Sequence, residues 1–455
     1  MLIRRARLLD GRLVDVRLEG GLVAAVDPSR SESGTGLDAR GGLLLPGLHD
    51  HHLHVAATAA ALSSVKCGPP DQLTRDGLAQ ALAAAPGDGW LRGIGYHESV
   101  AGDLDRAWLD RVVPGRPVRI QHRTGRMWYF NSAALELLLA GRTPPIGLDA
   151  GTGRLFDNDA WLRQALPSRF PDLAQVSRHW SAQGVTGLTD MSPRNAQQEV
   201  EWLTAEQASG ALAQRLVVAG SPALADVAGG PNLAIGPVKF HLHEAHLPDH
   251  ADFMAAIRAA HGQGRGAAVH CVTETELVFT LAAFRETGTM PLDRIEHASV
   301  TPSELVEQLA QLGLAVVTQP NFAAERGDAY LADIPAREWN TLYRLRSFLQ
   351  AGLTLAGGSD APFGSTDLWA AMAAAVSRRT AGGAVIGPAE ALDPEQALAL
   401  FLADPLDLAR TRSVKPGAAA DLCLLVQDWP ELRTDLAAAK VALTIIGGRV
   451  VFAAS

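Results

Sequence analysis

LPGLHDHHLHV, residues 45–55, places His49, His51, His52 and His54 at the end of an apolar run. Along an extended strand, side chains two apart point the same way. His52 and His54 therefore present their imidazoles together on one face, while His49 and His51 lie on the opposite phase. A pair of this kind can grip one metal ion. It fits a solvated or hydrogen-bonded histidine cluster equally well, and the stretch by itself leaves both readings open. The surrounding sequence has to choose between them.

Upstream of this stretch, RRARLL, RLVDVRL and LVAAVD read as short strands separated by Asp10-Gly11 and Gly20-Gly21, with no room for crossover helices. At the other end, ADLCLLV (420–426) and VALTIIGGRVVF (441–452) read as strands again, the second folding at Gly447-Gly448. Both ends can share one small β-sandwich. Between them, apolar strand-like runs alternate with Ala- and Leu-rich helical stretches, the pattern of repeated βα units around a parallel sheet. Strand candidates begin near Leu48, Trp90, Pro117, Gly184, Arg215, Pro237, Ala267, Arg294, Leu314 and Leu353. Eight of these would close a barrel and two would be left for a side ribbon or connections. Pattern alone also admits a doubly wound open sheet. The fold expected is α/β, a (β/α)8 TIM-like barrel over residues 47–404, with a small β-sandwich domain built from residues 1–46 and 405–455.

Composition narrows the partners. The 455 residues are 47% hydrophobic and 20% charged, enough to bury a large core. The net charge of −9 comes from interspersed residues without a basic aromatic patch, which speaks against nucleic acid. Cys67, Cys271 and Cys423 have no paired spacing, so neither a disulfide framework nor a thiolate zinc site is expected. The N-terminus turns polar too early for a signal peptide, and no apolar run reaches the roughly 18 residues that a membrane span requires. A cytoplasmic protein acting on a small molecule, with a homo-oligomer left open, is the expectation.

Four further strand ends carry polar residues in order: Lys239 in PVKFH, His270 in AAVHC, His297 in RIEHAS and Asp360 in LAGGSDAPFG. In a βα barrel the active site lies where strands end and βα loops begin, so this is where catalytic groups are expected. Each also has a structural reading. His270 or His297 can be a hydrogen-bonded core histidine, Asp360 a helix N-cap, and Lys239 the partner of a nearby acid. Those readings do not account for the shared placement.

Taken together, PGLHDHHLH, RTGRMWYFNSAAL, GVTGLTD, PVKFH, RIEHAS, VTQPNF, GGSDAPF and SVKPGAAADLCLL resemble the amidohydrolase superfamily and, within it, the branch of N-substituted formamide deformylase-like amidohydrolases. The resemblance spans nearly the whole chain. It implies that His52, His54 and Asp360 bind one divalent ion, that His270 and His297 bind a second, and that Lys239 bridges the two as a carbamate formed with carbon dioxide. Imidazole and carboxylate ligands suit zinc, and manganese, nickel or iron can occupy similar sets. Two such ions lower the pKa of a shared water and polarise a carbonyl. Asp360 is then the general base that takes the proton from the attacking water and returns it to the leaving group.

Departures from the branch cluster where substrate should sit. After Lys239 the run is VKFHLHEAH instead of an early Asp-Gly, so His241 and His243 share strand phase with Lys239 and offer alternative ligands or substrate contacts. His270 is followed by CVTE, and Arg126 stands where a histidine is common. Tyr96, His97, Arg126 and Trp128, with Gln319 and Asn321 in TQPNF, are further candidates for substrate contact, an arginine being able to hold a carboxylate bidentately. The activity expected is hydrolysis of a C–N bond in a non-peptide amide, cyclic amide, carbamate or N-acyl compound. A lactonase or esterase would use the same centre. A heterocycle deaminase would ordinarily carry a glutamate three residues after the strand histidine, whereas Glu274 follows His270 by four. A non-catalytic scaffold would not need every ligand position retained.

Overall fold

Eight of the apolar runs pair into one parallel sheet in the computed structural model, which describes residues 1–29, 35–69, 71–166 and 170–454. In chain order its strands are β1 (Leu48–Leu53), β2 (Val185–Asp190), β3 (Arg215–Gly220), β4 (Leu233–His241), β5 (Ala267–Cys271), β6 (Arg294–His297), β7 (Ala315–Thr318) and β8 (Leu355–Gly357). Each pairs with its neighbours in sequence order, from β1 beside β2 through to β7 beside β8. Helices including Gln197–Ser209, His250–Gly262, Glu274–Thr287 and Ser303–Leu312 connect successive strands. A parallel pair requires such a crossover, because a tight turn can only reverse the chain.

The segment after β8 closes the ring. Asp360 N donates to His52 O at 2.7 Å and His54 N donates to Ala361 O at 2.8 Å, so the chain that carries Asp360 is stitched to the end of β1. Approach is close enough that a Cβ added at Gly358 would lie 2.7 Å from His52 N and 2.9 Å from its Cα. A side chain there would push the two strands apart.

The terminal segments form two four-stranded sheets. One is ordered Leu22–Pro28, Leu13–Glu19, Leu2–Arg7, Leu37–Asp38, and the other Arg449–Ala453, Val441–Ile446, Leu422–Leu425, Leu44–Pro46. Alternation explains the sandwich. Ile3, Val14, Val16 and Leu18 from the first sheet share one core with Leu44, Leu422, Leu424, Leu443 and Ile445 from the second.

By internal contacts the chain forms two compact units, Met1–Thr58 with Leu173–Ser455, and Ala59–Asp172. The barrel strands and terminal sheets all belong to the first. The second is built on a six-stranded sheet ordered Leu148–Asp149, Arg154–Phe156, Met127–Phe130, Val118–His122, Leu91–Tyr96, Val65–Lys66. The runs at Trp90 and Pro117, surplus to a barrel of eight, become its paired strands Leu91–Tyr96 and Val118–His122. Tyr96, Trp108, Ile120 and Tyr129 lie in its core. No helix among the described residues is long and apolar enough to cross a membrane.

Candidate metal centre

The carboxyl ends of β1, β4, β5, β6 and β8 bring His52, His54, Lys239, His270, His297 and Asp360 together in the first unit. The Nε2 atoms of His52 and His54 each lie 3.4 Å from Asp360 Oδ1. His52, His297 and Asp360 offer donor atoms that all fall within 4.8 Å of one another. The imidazoles run in series, with ring centroids 5.7 Å apart for His54 and His52, 4.7 Å for His52 and His297, and 4.4 Å for His297 and His270. His241 stacks on His270 at 4.4 Å, so of the two histidines that follow Lys239 it is the one in contact with this row. His243 is exposed; its Nδ1 accepts from Ala245 N, and its ring lies 5.8 Å from that of His246.

Three of these rings are oriented from behind. His52 Nδ1 bonds Glu296 Oε2 at 2.5 Å, His54 Nδ1 bonds Ser192 Oγ at 3.1 Å, and His297 Nδ1 bonds Gln319 Oε1 at 2.8 Å. A carboxylate and an amide oxygen accept only, which leaves the proton on Nδ1 of His52 and His297 and a lone pair on Nε2. Glu296 is itself fixed by Arg294 Nε at 2.5 Å. Asp190 fixes Ser192 through its backbone N at 2.8 Å. Asp50, pushed up to about 7 by burial against its hydrogen bonds, accepts from Ser359 N and Oγ directly before Asp360.

Glu296 and His297 are adjacent in β6, and regular alternation would send them to opposite faces. Both reach His52, because His297 has left-handed backbone (φ 71°) that breaks the alternation. Asp360 is left-handed too, at φ 55°. For residues with a Cβ such conformations cost about 1–3 kcal/mol each and persist only where neighbours enforce them.

Electrostatics favour ligand forms. Burial holds His52, His270 and His297 below their usual pKa, so each is a neutral imidazole at neutral pH. Burial pushes the Asp360 carboxyl up, but the His54 hydrogen bond and the imidazoles and Lys239 charge beside it outweigh burial, and the net direction is down. Lys239 is 5% exposed, and its Nζ has no hydrogen-bond partner. Burial brings its pKa down to about 8, although Glu296 opposes the shift. A buried ammonium without an acceptor is costly. The set of neutral imidazoles, an ionised carboxylate and an unpartnered amine fits a divalent cation site.

The remaining sequence candidates sit as follows. Gln319 and Asn321 are buried, Gln319 holding His297 and Asn321 Nδ2 donating to Ser359 O at 3.1 Å. Tyr96, His97, Arg126 and Trp128 belong to the unit Ala59–Asp172. There Tyr96 OH donates to Gly102 O, His97 caps the short helix Glu98–Ala101, Arg126 is ion-paired with Asp157, and Trp128 Nε1 donates to Asp159 Oδ1 at 2.6 Å. Sequence reasoning passed over Glu296, Asp50, Ser192 and Asp190. For Glu296 and Asp50 the available signal was an acid beside a histidine within a strand, as in RIEHAS and HDHH; for Asp190 it was an acid at the end of the apolar run GVTGLTD, and Ser192 carried none.

A barrel with a histidine, carboxylate and lysine cluster at its carboxyl face defines a metal-dependent hydrolase. Residues 35–452 match the amidohydrolase family, and the chain belongs to it; it is a hydrolase acting on carbon–nitrogen bonds. It is similar to the N-substituted formamide deformylase of Arthrobacter pascens, 25% identical over 514 aligned positions that cover 95% of this chain and 94% of that one. It is also similar to the putative amidohydrolase YtcJ of Bacillus subtilis (strain 168), 24% identical over 489 positions covering 91% and 90%. In fold it matches an uncharacterized metal-dependent hydrolase from Pyrococcus horikoshii OT3, with a TM-score of 0.82, 20% identity, and coverage of 96% and 99%.

Proposed function

We propose that the centre holds two divalent ions, zinc being the first candidate, and hydrolyses a non-peptide amide, cyclic amide, carbamate or N-acyl compound. His52, His54 and Asp360 would hold one ion and His270 and His297 the other, with Lys239 between them. When bound, the ions supply an acidified water and a polarised carbonyl. The observation that carries the reading is Lys239, a buried amine without a hydrogen-bond partner whose charge acts on His52, His270, His297 and Asp360 alike. After Nζ gives up one proton to become a neutral amine, its reaction with carbon dioxide would form an N–C bond and release a second proton, converting a cation into an anion with two donor oxygens.

Asp360 accepts the proton of the attacking water and passes it to the leaving nitrogen, its ionised form being favoured by the His54 hydrogen bond. Glu296, Ser192 and Gln319 keep the imidazoles aimed at the centre. Gln319 Nε2 and Asn321 Oδ1, both buried and without partners, remain available to a substrate.

Elemental analysis of the purified protein should return close to two divalent metals per chain, and a fully active preparation holding no more than one overturns the binuclear reading. Lys239→Ala should lose metal and activity together and regain part of both when a short carboxylate is added. Full metal occupancy with no rescue would transfer the ligand role to His241, which stacks on His270. Turnover should be followed as acid and ammonia separately, because ammonia from a heterocycle as the sole product would identify a deaminase.

A further inference from the structure

The amino-terminal end of the barrel, opposite the strand ends that carry the metal centre, holds a cavity of about 470 Å³. Its walls come from the starts of β1 to β4, where buried Leu216, Val217 and Leu233 make it apolar, and from the segment that runs from Asp404 to Asp421. Charges in the wall are paired, with one exception. Asp421 accepts from Arg215 Nε on one carboxylate oxygen and from Gly447 N, at 2.7 Å, on the other. Asp404 accepts from Arg410 Nη2 at 2.5 Å and from Leu406 N at 2.9 Å. His49 is held neutral by burial and bonds Thr189 Oγ1 at 2.8 Å. Arg412 is the exception. Its Nε and Nη2 donate to the carbonyls of Ala403 and Phe401 at 3.2 and 3.1 Å, while its Nη1 has no partner among the described residues and neither aspartate pairs with it. Burial brings its pKa down to about 10 although Asp404 and Asp421 oppose the shift, the mark of a cation whose charge is incompletely balanced.

We infer that this cavity binds a small carboxylate with a short apolar tail. Arg412 Nη1 offers the carboxylate a charge-assisted hydrogen bond and gains the counter-ion that the protein does not supply. Asn232, in the same wall, offers a second donor: Arg215 Nη1 occupies its Oδ1 at 2.7 Å, which leaves its Nδ2 hydrogens to a ligand. The tail covers Leu216, Val217 and Leu233 and removes apolar surface from water. The volume falls in the ordinary range for small-molecule pockets, roughly 300–1,000 Å³. Inorganic phosphate would bring more charge than one free guanidinium nitrogen can meet, and would leave the apolar wall bare. A neutral alcohol would cover the wall and leave Arg412 unbalanced. Because the cavity and the metal centre lie at opposite ends of the strands, the inference does not depend on the amide-hydrolysis reading.

The test titrates hexanoate calorimetrically into the metal-loaded enzyme and again after chelation, with hexanol and inorganic phosphate as comparison probes. Hexanoate should bind with a Kd on the order of 1 mM, a strength within reach of so small a ligand, and should bind equally after chelation. Hexanol and phosphate should bind at least about tenfold more weakly, the loss expected when a hydrogen bond to a charged group or the apolar contact is forgone. Arg412→Met removes the charge at similar length, and Ala234→Leu fills the cavity from its wall while leaving Arg412 in place. Each should weaken hexanoate at least about tenfold with metal content unchanged, and Ala234→Leu decides alone if Arg412→Met fails to fold. Hexanoate binding that disappears on chelation belongs to the metal centre and overturns the inference. Equal affinity in wild type and Ala234→Leu overturns it too, as does phosphate or hexanol binding as tightly as hexanoate.

Discussion

Glu296 shows how much of the centre depends on a residue that would not itself touch a metal. Its carboxylate takes the Nδ1 proton of His52 on one side and the Arg294 guanidinium on the other, with no exposed surface. Glu296→Gln keeps the shape but replaces an anion with a neutral amide, so His52 loses both tautomer control and basicity. Metal affinity should fall about 10- to 100-fold, as for other outer partners of metal-bound imidazoles. Competition with a chelator measures it, and an affinity within twofold of wild type would assign the orientation of His52 elsewhere. Asp360 should behave differently. Asp360→Asn retains an oxygen that can face the ion and removes the proton acceptor, so turnover should drop by about 10²- to 10⁴-fold while metal stays bound. A variant within threefold of wild type would move the base to another residue, His241 first because it stacks on His270.

The elements have to hold these side chains against strained backbone at His297 and Asp360. The chain that leads into β8 is anchored by Glu390, whose carboxylate accepts from Leu345 N at 3.0 Å, Ser347 N at 2.9 Å, Ser347 Oγ and Arg344 Nη1 at 3.0 Å, at the start of the helix Arg346–Gln350. Burial raises the pKa of this carboxyl, but its four donors outweigh burial and bring it below its usual 4.5. A carboxyl depressed in the folded state stabilises the fold above its unfolded pKa, and that contribution is lost as the pH falls through the folded value. Glu390→Gln should therefore cost about 1–3 kcal/mol at pH 7. The gap in melting temperature between wild type and variant should narrow below about pH 4.5 as the wild-type carboxyl takes up its proton. A gap that is constant from pH 7 to pH 3.5 would show that ionisation of Glu390 contributes nothing.

For the whole molecule, the proposed ligands come from five strands, so bound ions would act as a staple across the ring. An ion bound to the folded chain at 100 times its Kd adds about 2.7 kcal/mol of stability. For a chain of this length the unfolding entropy is about 1 kcal/mol per degree, so chelating one such ion should lower the melting temperature by about 3 °C, and returning the metal should restore it. Metal removal verified by elemental analysis with no thermal shift would mean that the ligand cluster is equally stable without an ion.

Local pattern was enough to locate the strands, since hydrophobic runs, turn dipeptides and helical stretches are properties of neighbouring residues. It marked out the terminal sheets, the hairpin at Gly447-Gly448 and ten strand candidates that include the eight of the barrel without singling them out, and polar residues at strand ends, read with the family resemblance, collected His52, His54, Lys239, His270, His297 and Asp360. It had no means of showing that the runs at Trp90 and Pro117 pair with each other in a separate unit, because strand partnership is a contact between distant segments. The orientation of the site was hidden for the same reason: Glu296 reaches His52 across 244 residues and Ser192 reaches His54 across 138. Even for adjacent Glu296 and His297, the period-two rule gave opposite faces, and only the left-handed turn at His297, enforced by the closed barrel, put both on the centre. Residue types and their order along the chain determined what chemistry this protein can support, and tertiary packing decided which side chains meet, because periodicity acts within an element whereas hydrogen bonds and ring contacts join elements that the sequence keeps far apart.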